Sequence, residues 1–277
     1  MKKIDLHIHT NGSDGLYSAQ EVLELAHHNK YNVISITDHD TLDGYNEALK
    51  YIGDYDIELI PGVEISCIHN NQDVHMLAYN FDPKDEKLGS LLNSIHQGRF
   101  VRAKKILQKL QNMGIDLPFE KIEELAGENG LIGRPHIARA LIEMKYCNTI
   151  KEVFDIYLGE KCPAYEPKPA PSTKKAIKMV KKAGGVTVLA HPFTLGNDAL
   201  IYELINIGID GIEVFYTKHS DEKVDFYNEI ALKNNLIRTG GSDFHGDGFD
   251  LQNFGFYSAP EFVYDELMNG KNLADPF

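Results

Sequence analysis

Six of the chain's twelve histidines fall in short clusters with carboxylates, each in or just after an apolar run of strand type. The clusters are His7-Ile8-His9 with Asp14, Thr37-Asp38-His39-Asp40, Gly62-Val63-Glu64, Asp73-Val74-His75, Ala190-His191-Pro192 and Ser242-Asp243-Phe244-His245. Imidazole and carboxylate together suit Zn, Mn and Fe. His7, His9, Asp14, His39, Glu64, His75, His191, Asp243 and His245 make nine candidate ligands. That is too many for one tetrahedral zinc and enough for two or three divalent ions. The chemistry is then metal-assisted hydrolysis. No compelling Cys or Ser nucleophile motif is present, and a divalent ion can lower the pKa of bound water to about 7. Asp38 and Asp40 flank His39 and are expected to accept hydrogen bonds that orient imidazoles.

The elements that must position these residues alternate strand and helix over the first eighty positions. Strands are expected at Lys3 to Ile8, Val33 to Thr37, Ile57 to Ile60, Val63 to Ser66 and Val74 to Phe81. A capping box, Ser18-Ala19-Gln20-Glu21, opens a helix to about Lys30, and Thr41 caps another to about Ile52. Such alternation predicts a largely parallel sheet or barrel. His7 and His9 are two apart, so on a strand both face one side and Ile8 the other. Ligands at the C-terminal ends of several strands are the habit of β/α barrels. Barrel closure would bring the His7-His9 and Asp243-His245 pairs together.

From Asp82 to about Leu158 the pattern becomes helical. Leu88, Leu91, Leu92 and Ile95, then Ile106, Leu107 and Leu110, keep helical spacing, and further helices are expected at Glu120 to Glu128, Pro135 to Met144 and Ile150 to Tyr157. This predicts an inserted helical subdomain over residues 82–158, with residues 1–81 and 159–277 forming the catalytic barrel. Pro163, Pro167, Pro169 and Pro171 then form a stiff linker. Ser172 starts a basic helix whose lysines read as a solvated face. Strands resume at Val186 to Ala190, Gly211 to Phe215 and Ile237 to Thr239.

A formal net charge of −13 argues against a broad surface for duplex nucleic acid. It does not exclude a small anion, because three divalent ions outweigh the three carboxylates of the candidate site. Cys67, Cys147 and Cys162 show no metal-type pairing, and so sparse a set fits thiols in a reducing cytoplasm. No apolar run suggests a membrane span, and a monomer is expected. Arg134 and His136 stand at a helix start beside Pro135, where a guanidinium and a helix N-terminus make a phosphate cradle. The alternative for this pair is a helix cap and a surface ion pair. Arg99 and Arg102 share a helical face and are weaker candidates for the same work, with a solvated face as the alternative. Tyr165 is placed to stack on a base or to pack. His27, His28, His69, His96 and His219 read as surface or packing residues.

In this order, Asp5-Leu6-His7-Ile8-His9-Thr10, Ser13-Asp14-Gly15, Ile36-Thr37-Asp38-His39-Asp40, Pro61-Gly62-Val63-Glu64, His75, His191-Pro192 and Gly241-Ser242-Asp243-Phe244-His245 resemble the PHP (polymerase and histidinol phosphatase) family. Gly133-Arg134-Pro135-His136-Ile137-Ala138 narrows the resemblance to its stand-alone phosphoesterases that act on nucleoside phosphates. The resemblance implies an α/β fold, a distorted seven-stranded β/α barrel with a trinuclear centre. It places one ion on His7, His9, Glu64 and Asp243, a second on Glu64, His75 and His191, and a third on Asp14, His39 and His245. Many relatives carry His where this chain has Asp14. The implied activity is hydrolysis of phosphate monoesters of small nucleotides, nucleoside mono- or 3′,5′-bisphosphates. The alternatives are a 5′-to-3′ exonuclease on short RNA, a histidinol phosphate phosphatase, and a metal-stabilised binding module without catalysis.

Overall fold

The computed structural model describes residues 2–127, 131–248, 251 and 254–270. Among the described residues eight strands lie in two sheets: β1 (Ile4–Ile8), β2 (Val33–Ile36), β3 (Glu58–Leu59), β4 (Gly62–His69), β5 (Gln72–Tyr79), β6 (Val186–Leu189), β7 (Gly211–Tyr216) and β8 (Ile237–Gly241). The first sheet has the order β1-β2-β3 and is parallel. The second has the order β4-β5-β6-β7-β8, antiparallel across β4, β5 and β6 and parallel from β6 to β8. The expected largely parallel sheet therefore contains an antiparallel hairpin. Asn70 and Asn71 both take positive φ (47° and 63°), the requirement of a tight primed turn, and Asn tolerates it well.

The two sheets meet at two irregular seams instead of running as one seven-stranded ladder. At one seam Asp243 N donates to His7 O (2.8 Å) and His9 N donates to Phe244 O (2.8 Å). At the other, Glu64 N donates to Thr37 O (3.1 Å) and Asp40 N donates to Glu64 O (2.9 Å). Asp40 and Asp243 sit at φ of 54° and 56°, outside extended geometry. The ladder breaks where the backbone must turn to aim ligand-type side chains.

Helices cover the sheets. The capping box at Ser18 is present, and α1 (Ala19–His28) buries Ala19, Val22, Leu23 and Ala26 against Ile8, Ile34 and Ile36. Thr41 does not cap a long helix. Its hydroxyl accepts from Asp43 N, and α2 (Asp43–Ala48) lasts only six residues before a 3₁₀ turn. The helix α3 (Glu86–Asn112) runs 27 residues and belongs to two cores. Leu88, Leu91, Leu92 and Ile95 pack with the second sheet, whereas Ala103, Ile106 and Leu110 pack with α4 (Phe119–Ala126), α5 (Arg134–Glu143) and α6 (Ile150–Val153). Arg134 is the first residue of α5 and Pro135 the second, while the expected end of the preceding helix at Glu128 lies outside the described residues. A single π turn, Phe154–Leu158, extends α6. Then α7 (Thr173–Lys182), capped by Ser172, buries Ala176, Ile177 and Val180 and leaves its lysines in solvent. The remaining helices, α8 (Ala199–Asn206), α9 (Asp221–Lys233) and α10 (Phe262–Asn269), close the outer layer. Among the described residues no helix is long and apolar enough to cross a membrane.

Candidate metal centre and active site

All nine candidate ligands converge on one end of the sheets. His7 lies in β1, Glu64 in β4 and His75 in β5, while His9, His39, His191, Asp243 and His245 follow β1, β2, β6 and β8. His75 is in the first half of its strand, yet it reaches the same end because β5 runs antiparallel to its neighbours. Glu64 is the centre. Its Oε2 lies 3.2 Å from His7 Nε2, His9 Nε2 and His39 Nδ1, and its Oε1 lies 2.9 Å from His75 Nδ1 and 3.0 Å from His191 Nε2. Asp243 Oδ1 stands 3.2 Å from His9 Nε2 and 3.4 Å from His7 Nε2. Asp14 Oδ1 stands 3.4 Å from His245 Nε2, and Asp14 also lies 3.9 Å from both His9 Nδ1 and His39 Nε2.

Among the described residues ligand-type atoms gather in three groups: His7, His9, Glu64 and Asp243; His39, Glu64 and His75; and His9, Asp14, His39 and His245. His9 and His39 each belong to two of them. The third group thus shares imidazoles with the other two, unlike the independent Asp14, His39 and His245 set expected from sequence. His191 falls outside these groups and meets Glu64 by a 3.0 Å hydrogen bond.

The donor set fits divalent cations on a direct observation. Both ring nitrogens of His9, with His39 Nδ1 and His75 Nδ1, are buried and make no hydrogen bond, although three of the four lie within 3.2 Å of Glu64. Buried polar atoms are normally satisfied, and imidazole nitrogens crowded round a carboxylate without bonding to it are the arrangement a cation would complete. The charges agree. Burial would raise Glu64, yet His39, His75 and His7 hold its carboxyl well below the usual range. Burial would lower His9, yet Asp243 and Glu64 lift it to about 10, whereas burial wins at His39 and lowers it to about 3.

Asp38 and Asp40 do not orient imidazoles. Asp38 accepts from Thr10 N (2.7 Å), Thr10 Oγ1 (2.6 Å) and Ser13 Oγ (2.6 Å), fixing the loop between His9 and Asp14. A Cβ on Gly44 would lie 2.0 Å from Asp38 Oδ2, so only glycine leaves room for this knot. Asp40 accepts from Ser66 N (2.7 Å) and from Arg99, whose guanidinium reaches it by Nε (3.0 Å) and Nη2. Glu213, fully buried in β7, orients an imidazole instead: it takes the Nδ1–H of His7 at 2.8 Å and the backbone N–H of His191 at 2.6 Å. The available signal was a single carboxylate inside the apolar run Gly211-Ile212-Glu213-Val214-Phe215.

Beside the ligands stands a group of cations, the roof, which meets them where Lys168 reaches His75. Arg99 and Arg102, read as a weak pair or a solvated face, are buried. Arg99 is committed to Asp40 and Ser66. Arg102 Nε donates to Glu166 O (2.8 Å), and its buried Nη2 has no hydrogen-bond partner. Burial, then Arg134 and Arg99, lowers Arg102 to about 10. Arg134 stacks over Phe154 (5.4 Å) and Tyr165 (5.9 Å) and donates to Leu158 O (3.3 Å). Lys168, which the sequence did not single out, comes from the proline linker and puts Nζ 3.1 Å from His75 Nε2. The linker can lie this close because α3 carries Gly98, where a Cβ would meet Pro169 at 2.7 Å. His136 is buried with Nδ1 accepting from Gly133 N (3.0 Å), so this ring takes the capping alternative and makes no surface ion pair.

The chain is similar to known proteins in sequence and in fold. The chain is 32% identical over 249 residues to a 5′-3′ exoribonuclease of Haemophilus influenzae, covering 88% of this chain and 90% of the relative. It is 31% identical over 253 residues to a 3′,5′-nucleoside bisphosphate phosphatase of Chromobacterium violaceum, covering 90% and 89%. A solved structure from Bifidobacterium adolescentis, provisionally described as a metal-dependent phosphoesterase, superposes with a TM-score of 0.87 at 31% identity, covering 97% of this chain and 96% of that one. The PHP domain model matches residues 5–161, and with these relatives it follows that the chain belongs to the PHP domain family.

Proposed function

We propose that the protein is a metal-dependent phosphoesterase that releases phosphate from small nucleotides carrying two phosphates. One observation carries the choice of substrate: Lys168 stands 3.1 Å from His75 of the ligand cage centred on Glu64, and Lys168, Arg102 and Arg134 are three cations that form no ion pair with a carboxylate among the described residues. A cage that holds the reacting phosphate and a cationic roof that holds a second one suit a nucleoside bisphosphate. The relative from Chromobacterium violaceum bears that name. Tyr165, beside Arg134, offers a face for the base.

His7, His9, Glu64 and Asp243 would hold one ion, Glu64, His75 and His191 a second, and Asp14, His39 and His245, with His9 alongside, a third. Mn, Fe and Zn all suit these donors. Divalent ions bound there supply Lewis-acid neutralisation of phosphoryl oxygens and activation of water. The chain's own residues do the rest. Glu64 ties the groups together, Asp38 and Asp40 fix the loops that carry His9, Asp14 and His39, and the roof orients the substrate anion. We assign residues 82–158 to a helical insertion over the site. Residues 1–81 and 159–277 then form a distorted barrel, closed at the seams beside His7 and Glu64.

Incubation with Mn²⁺ and a panel of nucleoside mono- and bisphosphates tests the reading. Phosphate release should be fastest from bisphosphates, and no release from any nucleotide by the metal-loaded protein rules the assignment out. A 5′-3′ exoribonuclease is the second reading, favoured by the name of the relative from Haemophilus influenzae. A ladder of shortened products from a labelled oligoribonucleotide would select it.

A further inference from the structure

Strand β7 contributes none of the nine ligand-type residues, yet it touches three of them. Glu213 binds His7 and His191 through its two carboxylate oxygens, and Tyr216 Oη donates to Asp243 Oδ2 at 3.0 Å. On a regular strand, positions 213 and 216 would face opposite sides. They share a side here because β7 carries one extra residue. Glu213 pairs with Thr239 and Phe215 with Gly240, so Val214 is bulged. The bulge is pinned by His219, whose Nδ1–H donates to Val214 O at 2.9 Å while its ring packs edge-on to Tyr216, with centroids 5.1 Å apart. His219, which read as a packing residue, thus satisfies the carbonyl that a bulge exposes.

We infer that β7 is an orienting strand, with Glu213 and Tyr216 as positioning residues that set the metal affinity of His7, His191 and Asp243. The argument is one of donors and acceptors. His7 gives its Nδ1–H to Glu213, so its Nε2 lone pair faces Glu64 and Asp243 at 3.2 and 3.4 Å. The second oxygen of Glu213 holds the N–H of His191, a residue at φ 26° that needs outside support to stay there. A carboxylate serves both donors at once. Glutamine cannot, because its single acceptor oxygen must choose between them while its amide N–H group opposes the other donor.

The inference rests on the metal assignment above. Metal-free wild type, Glu213→Gln and Tyr216→Phe should be dialysed against graded Mn²⁺ and analysed for bound metal, with thermal melts as a control on folding. Glu213→Gln should weaken the ions served by His7 and His191 by about ten- to a hundredfold. The ion on Asp14, His39 and His245 should keep its affinity. Tyr216→Phe, which removes only one oxygen, should weaken one ion by about fivefold, in line with the loss of a single hydrogen bond. If Glu213→Gln does not fold, Tyr216→Phe decides alone. Wild-type affinities in either folded variant, or equal weakening of all ions, overturn the inference. A wild-type protein that binds no Mn²⁺ overturns the metal assignment itself.

Discussion

The floor and the roof of this site are built on opposite principles. The floor is short-range and crowded: one carboxylate, Glu64, lies within 3.2 Å of five imidazole nitrogens from four segments. The roof is sparse and cationic, and its members come from one long helix, one helix start and one linker. Floor residues face each other across the ends of strands, so backbone register fixes them. Roof residues are long side chains on α3, α5 and the linker, which touch the floor at few points. Arg99 on Asp40 and Lys168 on His75 are two of these. The difference suggests a division of labour in which the floor does chemistry and the roof chooses the anion, and it can be broken experimentally.

The largest effect should come from Glu64. Glu64→Gln keeps the shape and removes the charge at the meeting point of the ligand groups. Activity should fall by on the order of a thousandfold, as for loss of a central electrostatic element, and bound metal should fall with it. Near-normal metal content with low activity would detach the floor from metal binding and undo the comparison.

Arg99 belongs to both regions, so it asks whether they are separable at all. Arg99→Leu leaves Asp40 buried without its cation, which should cost about 3–5 kcal/mol of stability. The double variant Arg99→Leu, Asp40→Asn should recover most of that loss, because the stranded charge is gone. Thermal or urea unfolding of the four proteins reads the coupling. Additive losses would mean that the pair does not act as a buried ion pair.

Floor and roof also differ in how far the sequence foretold them. The nine floor residues could be picked from strand-end clusters because a ligand's chemistry is local: His7-Ile8-His9 or Asp243-Phe244-His245 carries its own two-residue alternation. Glu213 was hidden because its partners lie on other strands, and only the bulge at Val214 brings Tyr216 to the same side. The roof was least legible. Arg99 and Arg102 resemble any charged helical face until Gly98 lets the linker pack down on them, and Lys168 sits among prolines that announce nothing about where the chain folds back. The antiparallel hairpin was signalled by Asn70-Asn71, and the alternation around it concealed this.

A pH effect separates the roof from the floor without substrate. His136 is lowered to about 4, chiefly by burial and then by Arg139 and Arg99, against Asp14. Its folded value lies below its unfolded value of about 6.5. The unfolded chain therefore binds the proton first, so the stability due to neutral His136 is complete above about pH 6.5 and is lost as pH falls towards 4. The loss is at most on the order of 3 kcal/mol over that window. His136→Gln retains an acceptor for Gly133 N and cannot titrate. Metal-free wild type should therefore lose stability relative to His136→Gln between pH 6.5 and 4. Parallel curves would mean that the ring is not held neutral.

The smallest effect expected is the most specific. Among the described residues Arg134 touches no proposed ligand; it meets Leu158 O and the rings of Phe154 and Tyr165. Arg134→Met keeps a long apolar stem for those rings and removes the charge. If the roof grips a second phosphate, KM for a bisphosphate should rise by about tenfold, the value of one weakened charge-assisted contact. KM for a nucleoside monophosphate cleaved at the same position should hardly move, because no second phosphate is there to lose. kcat and metal content should stay near wild type, since nothing in the floor has changed. A fall in kcat with unchanged KM would place Arg134 over the reacting phosphate and merge the two regions into one. An equal rise in KM for both nucleotides would make the roof a general anion attractor and remove the reason for preferring bisphosphates.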